Sequence, residues 1–121
     1  MKNLKTVELK PFLPSKDFET SKDFYQDWGF TLASDEEGIA YFYIDNTSFL
    51  LQNFYNEELA NNLMIHLLVE DVQSWFDSTI SSKISEKYSI KVSDLETRPW
   101  GMRDFTVHDP SGVLWRVGQN L

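Results

Sequence analysis

The chain has 121 residues, 41% of them hydrophobic and 15% aromatic, which is one domain by length and enough to bury roughly two thirds of its unfolded surface. A net charge of -8, with nothing resembling a basic stripe, argues against binding nucleic-acid phosphates and favours cationic or neutral partners, with solubility as the competing account of the acidity. The absence of cysteine excludes disulfides and thiol catalysis, no apolar run reaches the roughly eighteen residues of a membrane span, and Met1-Lys2-Asn3-Leu4 lacks the apolar core of a secretory leader, so a cytoplasmic protein away from membranes is expected.

Along the chain, residues 6–13 read as a strand, with Val7 and Leu9 alternating against Glu8 and Lys10. Asp17 is a candidate cap for a helix over 18–28, which has Glu19 near its positive end, Phe18, Phe24, Tyr25 and Trp28 on its apolar side, and Gly29 at its stop. Residues 39–44 and 49–54 form a hairpin around Asp45-Asn46-Thr47-Ser48. The same order then repeats. Residues 63–69 alternate as a strand, Asp71 caps a second helix running from Val72 to about Ile84, and Val72, Trp75, Phe76, Ile80 and Ile84 recur on one side of it. Residues 85–98 are the least readable and are expected to hold one strand and a loop before Pro99. Residues 105–108 and 113–118 close the chain as strands around Asp109-Pro110-Ser111-Gly112.

Aligning Asp17 with Asp71 and Asp45 with Asp109 gives two βαβββ modules, about 1–58 and 62–121, in a single domain spanning 1–121. The fold class is α+β: the modules bury their helix-facing surfaces and leave the opposite faces of a mixed sheet curved into a cup, the natural place for a ligand. If the turns close ordinary hairpins, Tyr41 pairs with Gln52, Tyr43 with Leu50, Phe105 with Arg116 and Val107 with Leu114. The cup then displays Glu8, Lys10, Phe12, Tyr41, Tyr43, Gln52, Met64, His66, Phe105 and Arg116. So many planar groups suit stacking on a flat ligand, although strand propensity and core filling account for aromatic residues equally well. Trp100, between Pro99 and Gly101 at the rim, is the ring expected to meet a ligand, its competing role being to anchor the loop. Trp28, Trp75 and Trp115 belong to core faces. Lys10 and Arg116 either pair with acids such as Glu8 or clamp a ligand carboxylate or carbonyl. Glu8 with His66 is a weak acid/base pair and a polar lining by default, so no catalytic residue is assigned.

The stretch Leu13-Pro14-Ser15-Lys16-Asp17-Phe18-Glu19-Thr20-Ser21, then Phe24-Tyr25, Gly29-Phe30, Trp100-Gly101 and Asp109-Pro110-Ser111-Gly112 leading to Arg116 and Gln119-Asn120, resembles the bleomycin resistance proteins of the vicinal oxygen chelate superfamily, which also holds glyoxalase I and the extradiol dioxygenases. The resemblance covers nearly the whole chain. It implies the paired βαβββ cup, usually completed as a homodimer, as does the wide aromatic surface that an open cup would expose.

Enzymes of that superfamily hold a divalent metal on the first and last strands of each module. The corresponding positions are Lys10 and Met64, seven residues before Asp17 and Asp71, and Gln52 and Arg116 after the two turns. None is a good ligand for a hard cation, and an ammonium or guanidinium about 4 Å from the ion opposes it by about 8 kcal/mol as a bare Coulomb term at a dielectric near 20. A lone His66 is below the ligand count a site needs. No metal and no cofactor are therefore expected. The resemblance implies a non-catalytic protein that sequesters a bleomycin-type glycopeptide, whose planar rings and cationic tail suit an aromatic, acidic host. The alternatives are a divergent metal-dependent lyase or dioxygenase, and a binding module for another metabolite.

Overall fold

The computed structural model describes residues 2–121; Met1, the first residue of the leader reading, lies outside them. The chain folds as an α+β structure with two four-stranded mixed sheets. In the first half β1 (Phe12–Pro14) precedes helix α1 (Phe18–Trp28), followed by β2 (Thr31–Glu36), β3 (Ile39–Ile44) and β4 (Thr47–Gln52). A short helix α2 (Glu57–Asn62) leads into β5 (Met64–Leu68), α3 (Val72–Ser82), α4 (Ile84–Tyr88), β6 (Glu96–Arg98), β7 (Met102–His108) and β8 (Leu114–Asn120). Each sheet places its first strand parallel to its last, in the orders β1-β4-β3-β2 and β5-β8-β7-β6. No helix among the described residues is long and apolar enough to cross a membrane.

Both aspartate caps are where the alignment of the halves puts them. The Asp17 carboxylate accepts from the Thr20 amide and the Asp71 carboxylate from the Ser74 amide, each at 3.1 Å, satisfying a donor that the first helical turn leaves free. Gly29, at φ 127, ends α1 and turns its amide back onto the Tyr25 and Gln26 carbonyls. The second helix departs from its expected length: Lys83 takes a left-handed conformation, φ 58, which stops α3 at Ser82 and starts α4. Ile84 is buried from α4, whereas Ile80 faces solvent. The first strand is also shorter than its alternation suggests. Residues 2–11 lie outside any strand, with Leu4, Val7 and Leu9 at 82%, 101% and 88% exposure.

Register decides which side chains reach the outer faces. In the first hairpin Ile44 pairs with Thr47 across the two-residue turn Asp45-Asn46, and Asp45 adopts φ 50, a value this turn type demands. Tyr41 therefore faces Leu50 and Tyr43 faces Ser48, two residues from the expected pairing, and a two-residue slip leaves every side chain on its expected face. In the second hairpin the loop 109–113 is five residues long, so His108 pairs with Leu114, Thr106 with Arg116 and Val107 with Trp115. That slip is by one residue and reverses the face. Phe105 is consequently not in the cup: it is fully buried and packs edge-to-face on Phe76, with ring centroids 5.3 Å apart.

The helix-facing sides of both sheets meet in one core. Tyr25 and Phe24 are fully buried, and Tyr25 lies against Phe42 and Phe49 from the first sheet and Trp115 from the second. Phe49 touches Trp115 directly across the halves, with centroids 5.4 Å apart. Polar pins run through this core. The Tyr25 hydroxyl donates to Asp109 Oδ2 at 2.5 Å and accepts from Trp115 Nε1 at 2.9 Å. Asp109 Oδ1 accepts from the amides of Ser111 and Val113, and Ser111 Oγ accepts from the Lys16 amide and lies 3.3 Å from Ser21 Oγ. Trp28 Nε1 donates to Thr79 Oγ1, tying α1 to α3.

Replacing Tyr25 by Phe strands both Asp109 Oδ2 and Trp115 Nε1, and is expected to destabilise the chain by about 2–5 kcal/mol, since each buried group left unpaired costs about 1–3 kcal/mol. A shift in urea midpoint at unchanged m-value measures it. Burial raises the Asp109 pKa to about 6 against the hydrogen bonds from Tyr25 and the backbone. The folded state thus holds this proton more tightly than the unfolded chain, so the group's stabilising contribution is full below its ordinary value of 3.8 and is lost as pH rises through about 6. The stability difference between wild type and Asp109→Asn is expected to shrink from pH 4 to pH 7; a difference that widened over that range would contradict the assignment.

Candidate functional site

The expected site residues fall into two groups, one per sheet. On the first, Glu8 accepts from the hydroxyls of Tyr41, at 2.6 Å, and Ser48, and lies 3.8 Å from Lys10 Nζ. Lys10 in turn sits over the Tyr41 ring, 4.7 Å from its centroid. The Ser48 and Tyr41 hydrogen bonds hold the Glu8 carboxyl below its usual range, and the same contact raises the Tyr41 phenol. Phe12 and Tyr43 stand exposed on this face, with Leu50 and Gln52 half-buried beside them.

On the second sheet, Met64 and His66 lie on the outer face of β5, and Arg116 faces His66 from β8. With Phe105 turned inward, its place is taken by Asp104 and Thr106. Asp104 is fully buried, and its Oδ1 lies 2.9 Å from Arg98 Nε and 3.1 Å from Arg116 Nη1. Arg98 also pairs with Glu96 at 2.7 Å and carries its guanidinium 6.0 Å from the centroid of Trp100. Trp100 is 66% exposed in a turn closed by the Gly101 amide donating to the Arg98 carbonyl. Trp100, Arg98, Asp104 and Arg116 therefore form a connected chain of side chains. The sequence reading missed Arg98 and Asp104. Their signal is a carboxylate next to Phe105, legible once the odd-length loop fixes the register, and an arginine next to Pro99, legible once β6 is paired with β7.

The two groups look outward from a shared core, and among the described residues no hydrogen bond or ion pair links them directly. One hollow of about 310 Å³ reaches both Glu8 and His66, lined also by Leu13, Phe30, Phe49 and Trp115 and by Val7, Leu9 and Pro11. A larger cleft of about 550 Å³ opens between the Asp45-Asn46 turn and the start of α3 and holds none of the expected site residues.

The family model described as Glyoxalase/Bleomycin resistance protein/Dioxygenase superfamily matches residues 6–117. The chain belongs to that superfamily. It is 27% identical over 120 residues to a bleomycin resistance protein of Klebsiella pneumoniae, covering 95% of this chain and 94% of that one. Among solved structures, a bleomycin-binding protein crystallised with bleomycin superposes with a TM-score of 0.81 at 25% identity, covering 96% of this chain and all of the other. A bleomycin-binding protein from the bleomycin producer Streptomyces verticillus, solved with copper(II)-bleomycin, shares the fold with a TM-score of 0.79 at 17% identity, over 95% and 97% of the two chains.

The residues at the superfamily's metal positions do not fit a divalent cation. Lys10 is an ammonium resting on Tyr41, Arg116 is held against Asp104, Met64 is an exposed thioether, and Gln52 is a neutral amide at the end of β4. No group of three His, Asp or Glu side chains among the described residues is arranged to hold a metal ion. Adding zinc, nickel, manganese or iron(II) is expected to leave the melting temperature unchanged. A metal-dependent rise that disappears in His66→Ala would reverse this reading.

Proposed function

We propose that this protein binds and sequesters a bleomycin-type glycopeptide antibiotic without altering it. The observation that carries the reading is a solvent-facing indole, Trp100, joined through Arg98 and Asp104 to Arg116 on a sheet face that offers no donor set for a metal. An exposed ring next to a guanidinium suits stacking on a planar heteroaromatic ligand. The Glu8 carboxylate and the net charge of -8 suit a cationic tail. The family membership and the two bleomycin-binding relatives support the same reading, whereas a lyase or dioxygenase lacks its metal ligands. The ligand-contacting set is then Glu8, Lys10, Phe12, Tyr41, Tyr43, Gln52, Met64, His66, Trp100 and Arg116, with Phe105 removed and Arg98 and Asp104 added.

The working form is a cytoplasmic homodimer. Two observations support pairing: Leu4, Val7 and Leu9 present a row of apolar side chains to solvent, and the two halves of the site lie on sheets that face away from a common core. A second copy that set the Tyr41 face of one chain opposite the Arg116 face of the other would cover the first and join the second. Light scattering is expected to return twice the chain mass at micromolar concentration, and a monomer would count against a shared site.

Calorimetry with bleomycin should give two sites per dimer, and mass spectrometry should recover the drug unchanged. Trp100→Ala is expected to weaken binding by more than ~1 kcal/mol while leaving the fold intact. Glu8→Gln should weaken it less, and by an amount that falls with added salt. The absence of heat with any bleomycin would remove the drug assignment, and a chemically altered drug would make the protein an enzyme.

A further inference from the structure

The feature of the outer faces that no contact within the chain explains is one oxygen of Asp104. Both arginines approach Oδ1, while Oδ2 is buried and has no hydrogen-bond partner among the described residues. A buried carboxylate oxygen without a donor is costly, so a donor is expected there in the working state. Next to it Arg116 Nη1 lies 3.1 Å from Asp104 Oδ1, and its side chain keeps 29% of its surface, so the guanidinium is within reach of a bound molecule. Asp104 thus places an acceptor without a donor beside a part-exposed guanidinium. The local charge is balanced, because two guanidiniums, Arg98 and Arg116, meet two carboxylates, Asp104 and Glu96. An ion of either sign gains little from such a cluster, whereas a neutral group with its own donor and acceptor side by side matches it.

Gly118 pairs with Asp104 across the sheet. A Cβ at this position would lie 3.0 Å from Met102 Sδ, 3.3 Å from Asp104 Cβ and 3.4 Å from His66 Nε2. Met102 and His66 therefore close over the glycine next to Asp104, and both are side chains that can swing aside. His66 is exposed and Met102 half-buried.

We propose that Asp104 and Arg116 form a carboxamide-recognition pair, in which Arg116 donates to the carbonyl of a ligand amide and the amide N–H donates to Asp104 Oδ2, with Trp100 stacking on a ring carried beside it. This deepens the ligand-binding reading and rests on it for the site, but not for the identity of the drug. The test uses nicotinamide, a planar ring bearing a primary carboxamide, against nicotinate, the same ring bearing a carboxylate, followed by ¹H–¹⁵N spectra of the indole and guanidinium N–H groups of the full chain. Nicotinamide should shift the Trp100 and Arg116 signals and bind more tightly than nicotinate by about tenfold or more, the weight of a hydrogen bond to a charged group. Asp104→Asn, which puts a donor where the acceptor stood, should abolish that preference. Arg116→Met, which leaves Asp104 paired with Arg98, should weaken nicotinamide and serves if the first variant fails to fold. Equal binding of amide and acid to the wild type, no binding of nicotinamide up to its solubility limit, or a preference that survives in both variants would each overturn the proposal. Bleomycin is titrated in parallel: if it fails to bind while the amide preference stands, the drug assignment falls and the recognition pair remains, and the converse result removes the pair alone.

Discussion

The hydrogen bond from Tyr25 to Asp109 is the constraint on which the rest of this structure depends. It joins the helix of the first half to the hairpin loop of the second inside the densest aromatic packing in the chain, and the Trp115 indole completes it. Each group is satisfied only because the others are present, which is the condition for a buried polar network to be tolerated at all. The same carboxylate shapes the loop by taking two backbone amides, and the loop length sets the register of β7 against β8. From that register follow the inward turn of Phe105 and the outward placement of Asp104 and Arg116. A core interaction thus determines which charges the outer face presents.

Much of the architecture was legible in the sequence because it depends on local rules. The helix caps at Asp17 and Asp71, the glycine stop at Gly29 and the alternation in β5 and β8 are decided by residues within one turn or one strand. What was not legible depends on partners far away in the chain. The two hairpins have similar turn-forming sequences, but Asp45 closes a tight exposed turn, while Asp109 folds inward onto Tyr25 from 84 residues away. The first slip preserved parity and moved no side chain between faces; the second did not, and it cost Phe105. The break at Lys83 was hidden by an apolar pattern that continues unbroken through Ile80 and Ile84. The site residues taken from β1, β3, β4 and β5 kept their faces; Asp104 was missed because its face depended on the second register, and Arg98 because it lies on β6, within the stretch least readable in sequence.

The two outer faces are built on opposite principles. The first is a hydroxyl cluster around Glu8, with Tyr41, Ser48 and Lys10 satisfying one another at the surface. The second is an ionic cluster rooted in a fully buried aspartate, and it extends through Arg98 to an exposed ring. A ligand meeting both would find an adaptable, hydrated surface on one side and a rigid, oriented one on the other. Rigid anchors next to adaptable polar contacts favour selectivity at modest ordering cost.

The unequal hairpins also bear on how the chain can be rearranged. The two halves have matching caps and strand orders, yet the aspartate that crosses between them belongs to the second and the tyrosine that meets it to the first. The halves are therefore complementary rather than interchangeable. Cutting the chain between Gln52 and Glu57, where Asn53, Phe54 and Asn56 are exposed, would yield two fragments, each carrying one member of the buried couple. Such fragments have reason to find each other and little reason to self-associate correctly, which makes this junction the natural breakpoint for a split version of the protein or for moving its termini.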